Sequence, residues 1–231
     1  MDFAHVDLPV PVVLAAWMLA LPLFALGLAR ARWQEVSGGA MAQVWPAALI
    51  VLAILWSIRT QAGPGLAVHL SGIAALALAT GPWLALVGGA VVVAIASVLF
   101  EAPWTGAAPA WLVGVAWPVG VVTTVHAAAQ ARLPPNFFVY AFVVAFFGSA
   151  AAFVTTGLVG AGLLVAAMDV APSIAFGEYA VVVAALAFGE ALLTGMAITL
   201  AAIYRPTWVA TFEPNRYFGD GPDAGRDGGA R

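Results

Sequence analysis

One acidic side chain in the apolar C-terminal half of the chain is a clear candidate for chemistry. Glu190 stands in Phe188-Gly-Glu-Ala-Leu-Leu-Thr-Gly-Met196, about twelve residues into the last apolar segment, which is roughly 18 Å at 1.5 Å per helical residue. A carboxylate near the middle of a bilayer must be neutral, paired or bound to a metal. Two interpretations stay open. In the first, Glu190 belongs to a cation pathway or to conformational coupling. In the second, it is protonated and hydrogen-bonded to a neighbouring helix.

His69 is the second candidate, and its sequence context favours a binding site. It follows a Gly-Pro-Gly turn in Gly63-Pro-Gly-Leu-Ala-Val-His-Leu-Ser-Gly72. Imidazole is a common ligand of nickel, cobalt, zinc and copper, although a single histidine at an interface is more often a polar cap. The segment is short and is broken again by Gly81-Pro82, and such interrupted segments indicate transport sites. Ser71 could line the same cavity.

The N-terminus offers nitrogen and oxygen ligands in a short stretch. The α-amine of Met1, the carboxylates of Asp2 and Asp7 and the imidazole of His5 lie just before the first apolar segment. A solvated terminus without a binding role is the alternative interpretation, and the spacing alone favours it. The third histidine, His126, is predicted near the opposite end of the membrane, too far from His69 to share a site, and is interpreted as structural.

The composition requires a membrane around these residues. Of 231 residues, 64% are hydrophobic and 8% are charged, whereas soluble domains have about 45–50% apolar and about 25% charged residues. The net charge of −3 and the lack of a basic patch argue against nucleic-acid binding. The chain has no cysteine, which excludes disulfides and thiolate metal sites.

The elements that must position the candidate residues are membrane helices. A span needs about 20 apolar residues, and the pattern predicts an all-α bundle of about seven transmembrane helices. We expect one transmembrane domain over residues 1–204 and a polar cytoplasmic tail over 205–231 that is largely disordered at its end. The predicted spans are Leu8–Ala29, Met41–Ile58, the short Leu66–Thr80, Trp83–Phe100, Trp111–Ala129, Phe137–Ala167 and Tyr179–Tyr204.

The distribution of arginine predicts the orientation. Cytoplasmic loops of membrane proteins are enriched in arginine and lysine. With seven spans and the N-terminus outside, only Arg59 of the eight cations is external, and the C-terminus is cytoplasmic. This topology brings His5 and the turn before His69 to the same external side. The predicted internal arginines are Arg30, Arg32, Arg132, Arg205, Arg216, Arg226 and Arg231.

Two stretches resemble the CbiM/NikM family, the substrate-binding membrane subunits of energy-coupling factor (ECF) transporters for cobalt and nickel. They are His69-Leu-Ser-Gly-Ile-Ala-Ala-Leu-Ala-Leu-Ala-Thr-Gly-Pro-Trp83 and Gly189-Glu-Ala-Leu-Leu-Thr-Gly195. The similarity extends over most of the chain. It is closest to a proteobacterial branch with Pro135-Asn-Phe-Phe-Val-Tyr140 and Tyr204-Arg-Pro-Thr-Trp-Val-Ala-Thr-Phe212.

The resemblance implies a metal site, partners and a location. The family binds its metal through the amine of Met1, the backbone nitrogen and imidazole of residue 2, and a loop histidine that corresponds to His69. This chain departs from that pattern because residue 2 is Asp2, and the nearest imidazole is His5. Two interpretations follow: His5 and the acidic terminus form a different site for this or another metal, or the family's site is lost. A divalent ion, cobalt or nickel, is the expected cargo, with no permanently bound cofactor. A transmembrane coupling subunit and ABC ATPase subunits are the expected partners in a bacterial inner membrane.

Three classes of function compete. The first is a multi-pass transport subunit that binds a divalent metal through His69 with His5, Met1 or Asp2 and passes it inward past Ser71 and Glu190. The second is a membrane protein without transport activity, a structural or assembly partner, for example in metalloenzyme maturation. The third, an intramembrane enzyme, is disfavoured because the sequence has no catalytic motif and no phosphate-binding loop; any ATP hydrolysis would need a separate subunit.

Overall fold

The chain folds into a bundle of apolar helices with one small β-hairpin. The computed structural model describes residues 8–63, 66–168, 171–173, 176–177 and 179–218. The described helices are α1 (Val10–Arg30), α2 (Trp33–Gly38), α3 (Met41–Ser57), α4 (Ile73–Thr80), α5 (Pro82–Leu99), α6 (Ala107–Trp111), α7 (Trp117–Arg132), α8 (Gly148–Met168), α9 (Tyr179–Tyr204) and α10 (Pro214–Phe218). The strands β1 (Thr60–Gly63) and β2 (Leu66–Val68) form an antiparallel pair.

In the described part of the chain, five continuous helical stretches, some of which join several of these helices, are long and apolar enough to cross a membrane. They are Val10–Arg30, Pro82–Leu99, Trp104–Arg132, Val139–Ala167 and Val181–Tyr204. Two of them contain π-helical turns, at Leu112–Ala116 and Val139–Phe147. The helical fold class and the multi-pass membrane character are therefore confirmed. The predicted number of seven helices is not, because α3 is a shorter apolar helix of 17 residues and the predicted third span has a different structure.

The prediction of a membrane helix over Leu66–Thr80 is wrong. The segment begins as β2, continues through a non-helical loop at 69–72, and ends as α4, which has 8 residues and is about 12 Å long. Two glycines delimit α4 by their backbone conformation: Gly72 has φ +63° and Gly81 has φ +85°, a region that other residues rarely adopt. Apolar composition alone does not distinguish a strand and a half-helix inside a bundle from one long helix.

Contacts between the helix ends show which ends lie together. The guanidinium of Arg30, the last residue of α1, lies 5.1 Å from the ring centre of Trp83 at the start of α5. Arg216 donates a hydrogen bond to the carbonyl of Gln130 near the end of α7, at 2.9 Å. At the other end of α5, Arg59 lies over the ring of Phe100.

Small residues allow α5 to pack closely against its neighbours. A Cβ atom on Gly89 would overlap the side chain of Val115 in the adjacent π-helical turn. Trp111 of α6 is 4% exposed and donates a hydrogen bond from its indole N–H to the carbonyl of Leu86, at 3.0 Å. Close helix approach and interhelical hydrogen bonds are the interactions that stabilise helix pairs in lipid, where the hydrophobic effect does not drive helices together.

We expect Gly89→Ala to destabilise the protein by about 1–3 kcal/mol, because the added methyl group meets the stiff β-branched side chain of Val115. Gly120→Ala is the matched control, because no atom lies within 4 Å of its added Cβ. In that variant alanine's helix propensity should leave the stability unchanged or raise it by up to about 1 kcal/mol. The thermal unfolding midpoints of the two purified variants in detergent measure both changes in stability. Equal midpoints would contradict the close packing of Gly89 against Val115.

Candidate metal site

The loop that carries His69 is attached to α9 by the carboxylate of Glu190. Its Oε2 accepts a hydrogen bond from the backbone N–H of Ser71, and its Oε1 accepts one from the N–H of Gly72, both at 2.8 Å. Glu190 is 2% exposed. These are donors at the N-terminus of α4, where helix N–H groups lack partners in the helix and where the helix dipole favours negative charge. Glu190 therefore caps α4 from another helix.

Glycine is favoured at the capped position. With φ at +63°, Gly72 turns its N–H to lie beside that of Ser71, so that both point to one carboxylate. A Cβ atom at this position would also overlap the side chain of Leu52 in α3. The positive φ therefore disfavours a larger residue, and such a residue would also have to displace the end of the Leu52 side chain.

His69 is held on the other side of the loop by α3. The ring of Trp56 lies 4.6 Å from the imidazole, centre to centre, at an angle of 44°, and its indole N–H donates a hydrogen bond to the carbonyl of Ser71 at 2.8 Å. His69 itself is 5% exposed. The aromatic ring thus contacts the candidate ligand and also fixes the backbone two residues further along.

The hydrogen bond of the His69 ring decides which nitrogen is suited to a metal. Nδ1 lies 3.0 Å from the carbonyl oxygen of Leu70, which only accepts, so this contact favours the tautomer with the proton on Nδ1 and the lone pair on Nε2. The burial of His69 among apolar groups disfavours a charged ring. A neutral imidazole oriented by a backbone carbonyl is a common arrangement for a metal ligand.

The other predicted ligands, Met1, Asp2 and His5, lie outside the described residues. In the described part of the chain, no group of three or more His, Cys, Asp or Glu side chains is close enough to hold a metal ion. His69 and Glu190, which the sequence placed 121 positions apart, meet at the same loop through Ser71. Sequence reasoning missed Trp56, which carries no signal to separate it from other tryptophans in apolar helices.

The opposite end of α4 is fixed by the chain that follows α9. The N–H of Ala210 donates to the carbonyl of Ala79, at 2.8 Å, and the hydroxyl of Thr211 donates to the carbonyl of Leu78, also at 2.8 Å. The phenol of Tyr140 lies 2.7 Å from the same Thr211 oxygen. This part of the predicted polar tail is therefore packed against the bundle, and one continuous stretch of chain, α9 and its extension, holds both ends of α4.

His126 lies with that inner cluster rather than with His69. Its ring packs edge-on against Tyr140, with 6.1 Å between the ring centres. Its Nε2 is buried and has no hydrogen-bond partner among the described residues. Tyr140 and Thr211 connect it to the C-terminal end of α4, whereas His69 precedes the N-terminal end.

Comparison with known protein families identifies a match over most of the chain. The family model CbiM, described as the cobalt uptake substrate-specific transmembrane region, matches residues 6–208. No curated protein matches the chain. The matched range includes the His69 loop, Glu190 and the start of the segment after α9.

We expect Glu190→Gln to be nearly as damaging as Glu190→Ala. An amide has one acceptor oxygen, and its NH₂ group would face a backbone N–H, so one buried donor loses its partner. Losing a hydrogen bond to a buried charged group costs about 1.5–3 kcal/mol. Glu35→Gln is the control, because its carboxylate pairs with Arg32 at the surface, and such pairs contribute about 0–1 kcal/mol. Unfolding in detergent compares the three variants, and equal stability of Glu190→Gln and Glu35→Gln would contradict the cap.

We expect Thr211→Val to destabilise the protein, because valine keeps the shape of threonine but loses the bonds to Leu78 and Tyr140. The loss should be about 1–3 kcal/mol, and Thr211→Ser should recover most of it because the hydroxyl is retained. Thr124→Val is the control, since its hydroxyl bonds only within its own helix, to Gly120. The unfolding midpoints of the three variants test this attachment, and equal midpoints for the two valine variants would refute it.

Proposed function

Because this chain belongs to the CbiM family of cobalt uptake transmembrane components, we propose that it is the substrate-binding membrane subunit of an ECF-type transporter that takes up a divalent transition-metal ion, cobalt or nickel. The observation that carries the proposal is the His69 loop. A buried imidazole, the side chain of a common cobalt and nickel ligand, is oriented there by a backbone carbonyl and supported by Trp56 and Glu190.

The remaining ligands come from the N-terminus in this proposal. Met1, Asp2 and His5 offer an amine, a carboxylate and an imidazole that would complete the site with His69. The path of α1 supports this, because Arg30 ends α1 beside Trp83 at the start of α5. The first residue of α1 is therefore at the other end of the bundle, where the chain enters the hairpin before His69. Nitrogen-rich ligand sets of this kind favour nickel and cobalt over magnesium or calcium.

The N-terminus faces outward and the C-terminus faces the cytoplasm of a bacterial inner membrane in this proposal. Arg30 and Arg216 lie at helix ends with the segment after α9 packed nearby, and that end of the bundle carries most of the arginines. Enrichment of arginine on one side is typical of the cytoplasmic face. In this orientation His69 lies on the outer side of the bundle, where an uptake subunit meets its substrate.

Ser71 and Glu190 act in the transport path by holding the loop. Both backbone N–H bonds to Glu190 must persist while the metal binds, and their loss would release the loop and α4 together. Energy for such a change has to come from partners, a transmembrane coupling subunit and ABC ATPases, because the sequence contains no phosphate-binding loop.

We expect His69→Ala to lose bound metal and uptake while His126→Ala, the matched control at the inner cluster, retains both. Removing one imidazole from a site of few ligands should lower affinity at least about tenfold, equivalent to roughly 1.4 kcal/mol. Cobalt and nickel content of the purified chain and uptake of each ion by whole cells measure the effect. Equal metal content in both variants would remove His69 from the site, and metal binding without uptake in the native chain would favour the assembly-partner alternative.

A further inference from the structure

A small chamber adjoins the His69 loop inside the bundle. Its polar lining residues are His69, Ser71 and Glu190 with Ser149 and Thr156 of α8, and the rest of the lining is apolar. The centre of a water molecule can occupy a volume of ≈ 10 Å³ in the chamber. This is room for about one water molecule or one ion without its hydration shell. Ser149 is 0% exposed and Thr156 is 7% exposed, so these hydroxyl groups are buried among apolar helices.

Both hydroxyl groups of α8 that line the chamber use their proton within the helix. Ser149 donates its proton to the carbonyls of Ala145 and Phe146, at 2.7 and 2.9 Å. Thr156 donates its proton to the carbonyl of Ala152 at 2.7 Å. A hydroxyl has one proton and two lone pairs, so what remains for a ligand is lone pairs only. A chamber with such walls favours a cation over an anion.

The π-helical turn before α7 adjoins the chamber. The N–H of Trp117 bonds to the carbonyl of Leu112, five residues earlier, and the next residue, Pro118, has no N–H. One carbonyl in the turn before Pro118 therefore receives no donor from it. Both Gly114 and Pro118 line the chamber, and single π-helical turns are frequent at functional sites.

Glu190 makes the chamber negative. Hydrogen bonds from the N–H groups of both Ser71 and Gly72 to its two oxygens favour the ionised form of this carboxylate. The positive end of α4 corresponds to about half an elementary charge, so it offsets part of the full negative charge and leaves an excess. Each carboxylate oxygen also keeps a lone pair beyond the one used by the backbone.

We propose that this chamber is a second binding site, which holds the divalent metal cation in transit after it leaves His69. The inference rests on the transport function proposed above. Hydroxyl and carbonyl oxygens bind cobalt and nickel less tightly than imidazole does, and a site on a conduction path must bind weakly enough for the ion to leave. The outer nitrogen site selects the metal, and the chamber lowers the barrier to its passage.

The test uses two adjacent threonines of α8. Thr156→Val keeps the side-chain shape and removes one chamber oxygen. Thr155→Val is the control outside the chamber, since Thr155 also donates to the carbonyl four residues earlier, at 2.7 Å, and accepts from the indole N–H of Trp117 at 3.2 Å on the exposed side, but does not line the chamber. Initial rates of cobalt(II) and nickel(II) uptake are measured in cells that contain the whole transporter. For Thr156→Val we expect a maximal rate about tenfold lower at unchanged KM, a barrier increase of about 1.36 kcal/mol. Thr155→Val should match the native chain.

Two further variants keep the outcome decisive. Thr156→Ser should restore the rate because it returns the oxygen, and Ser149→Ala should lower the rate as Thr156→Val does. Metal content of each purified variant monitors folding and the outer site, and it should not change. Native maximal rates in both Thr156→Val and Ser149→Ala overturn the proposal and leave the chamber with water only. A native chain that takes up neither ion overturns the proposed function instead, so the two failures are distinguishable.

Discussion

The paired hydrogen bonds from Ser71 and Gly72 to Glu190 are the interaction on which the rest of the structure depends. The bilayer interior offers no water to satisfy backbone groups, so a non-helical loop is tolerated there only where protein groups replace water. Glu190 supplies two acceptors at once and stabilises the N-terminus of α4 by its charge. The fixed loop in turn determines where His69 lies.

The half-helix α4 converts this local cap into a connection across the bundle. Its N-terminus is held by Glu190 in the middle of α9, and its C-terminus is held by Ala210 and Thr211, which follow α9. A helix of about 12 Å behaves as a rigid element. A displacement of the His69 loop that carries α4 with it would therefore also change the contacts with the segment after α9, at the end of the bundle where arginines collect. This coupling needs no chain of side chains, because one helix and two attachments are sufficient.

The sequence predicts much of this architecture and misses its decisive contact. Apolar length predicts α1, α5 and the last span, and the interrupted pattern around Gly72 and Gly81 correctly draws attention to the segment with His69. The same pattern does not separate a strand and a half-helix from a short membrane helix, because the cap that stabilises α4 comes from a residue distant in the chain. Helix ends normally show local capping residues, and here the cap is supplied by tertiary contact.

Glu190 shows the limit of reasoning from depth alone. Depth predicts that a buried carboxylate must be compensated, and it leaves open a protonated side chain that donates to a neighbouring helix. The geometry favours the ionised form instead, because both oxygens accept from backbone N–H groups. Two backbone N–H donors stabilise a negative charge on Glu190 but do not remove it.

A salt bridge would cancel the charge of Glu190, whereas backbone dipoles leave it available to a cation nearby. The sequence provides no such partner within the same helix, since α9 contains no arginine or lysine. The residue that stabilises the loop can therefore also attract the metal, and one carboxylate serves both the fold and the proposed path.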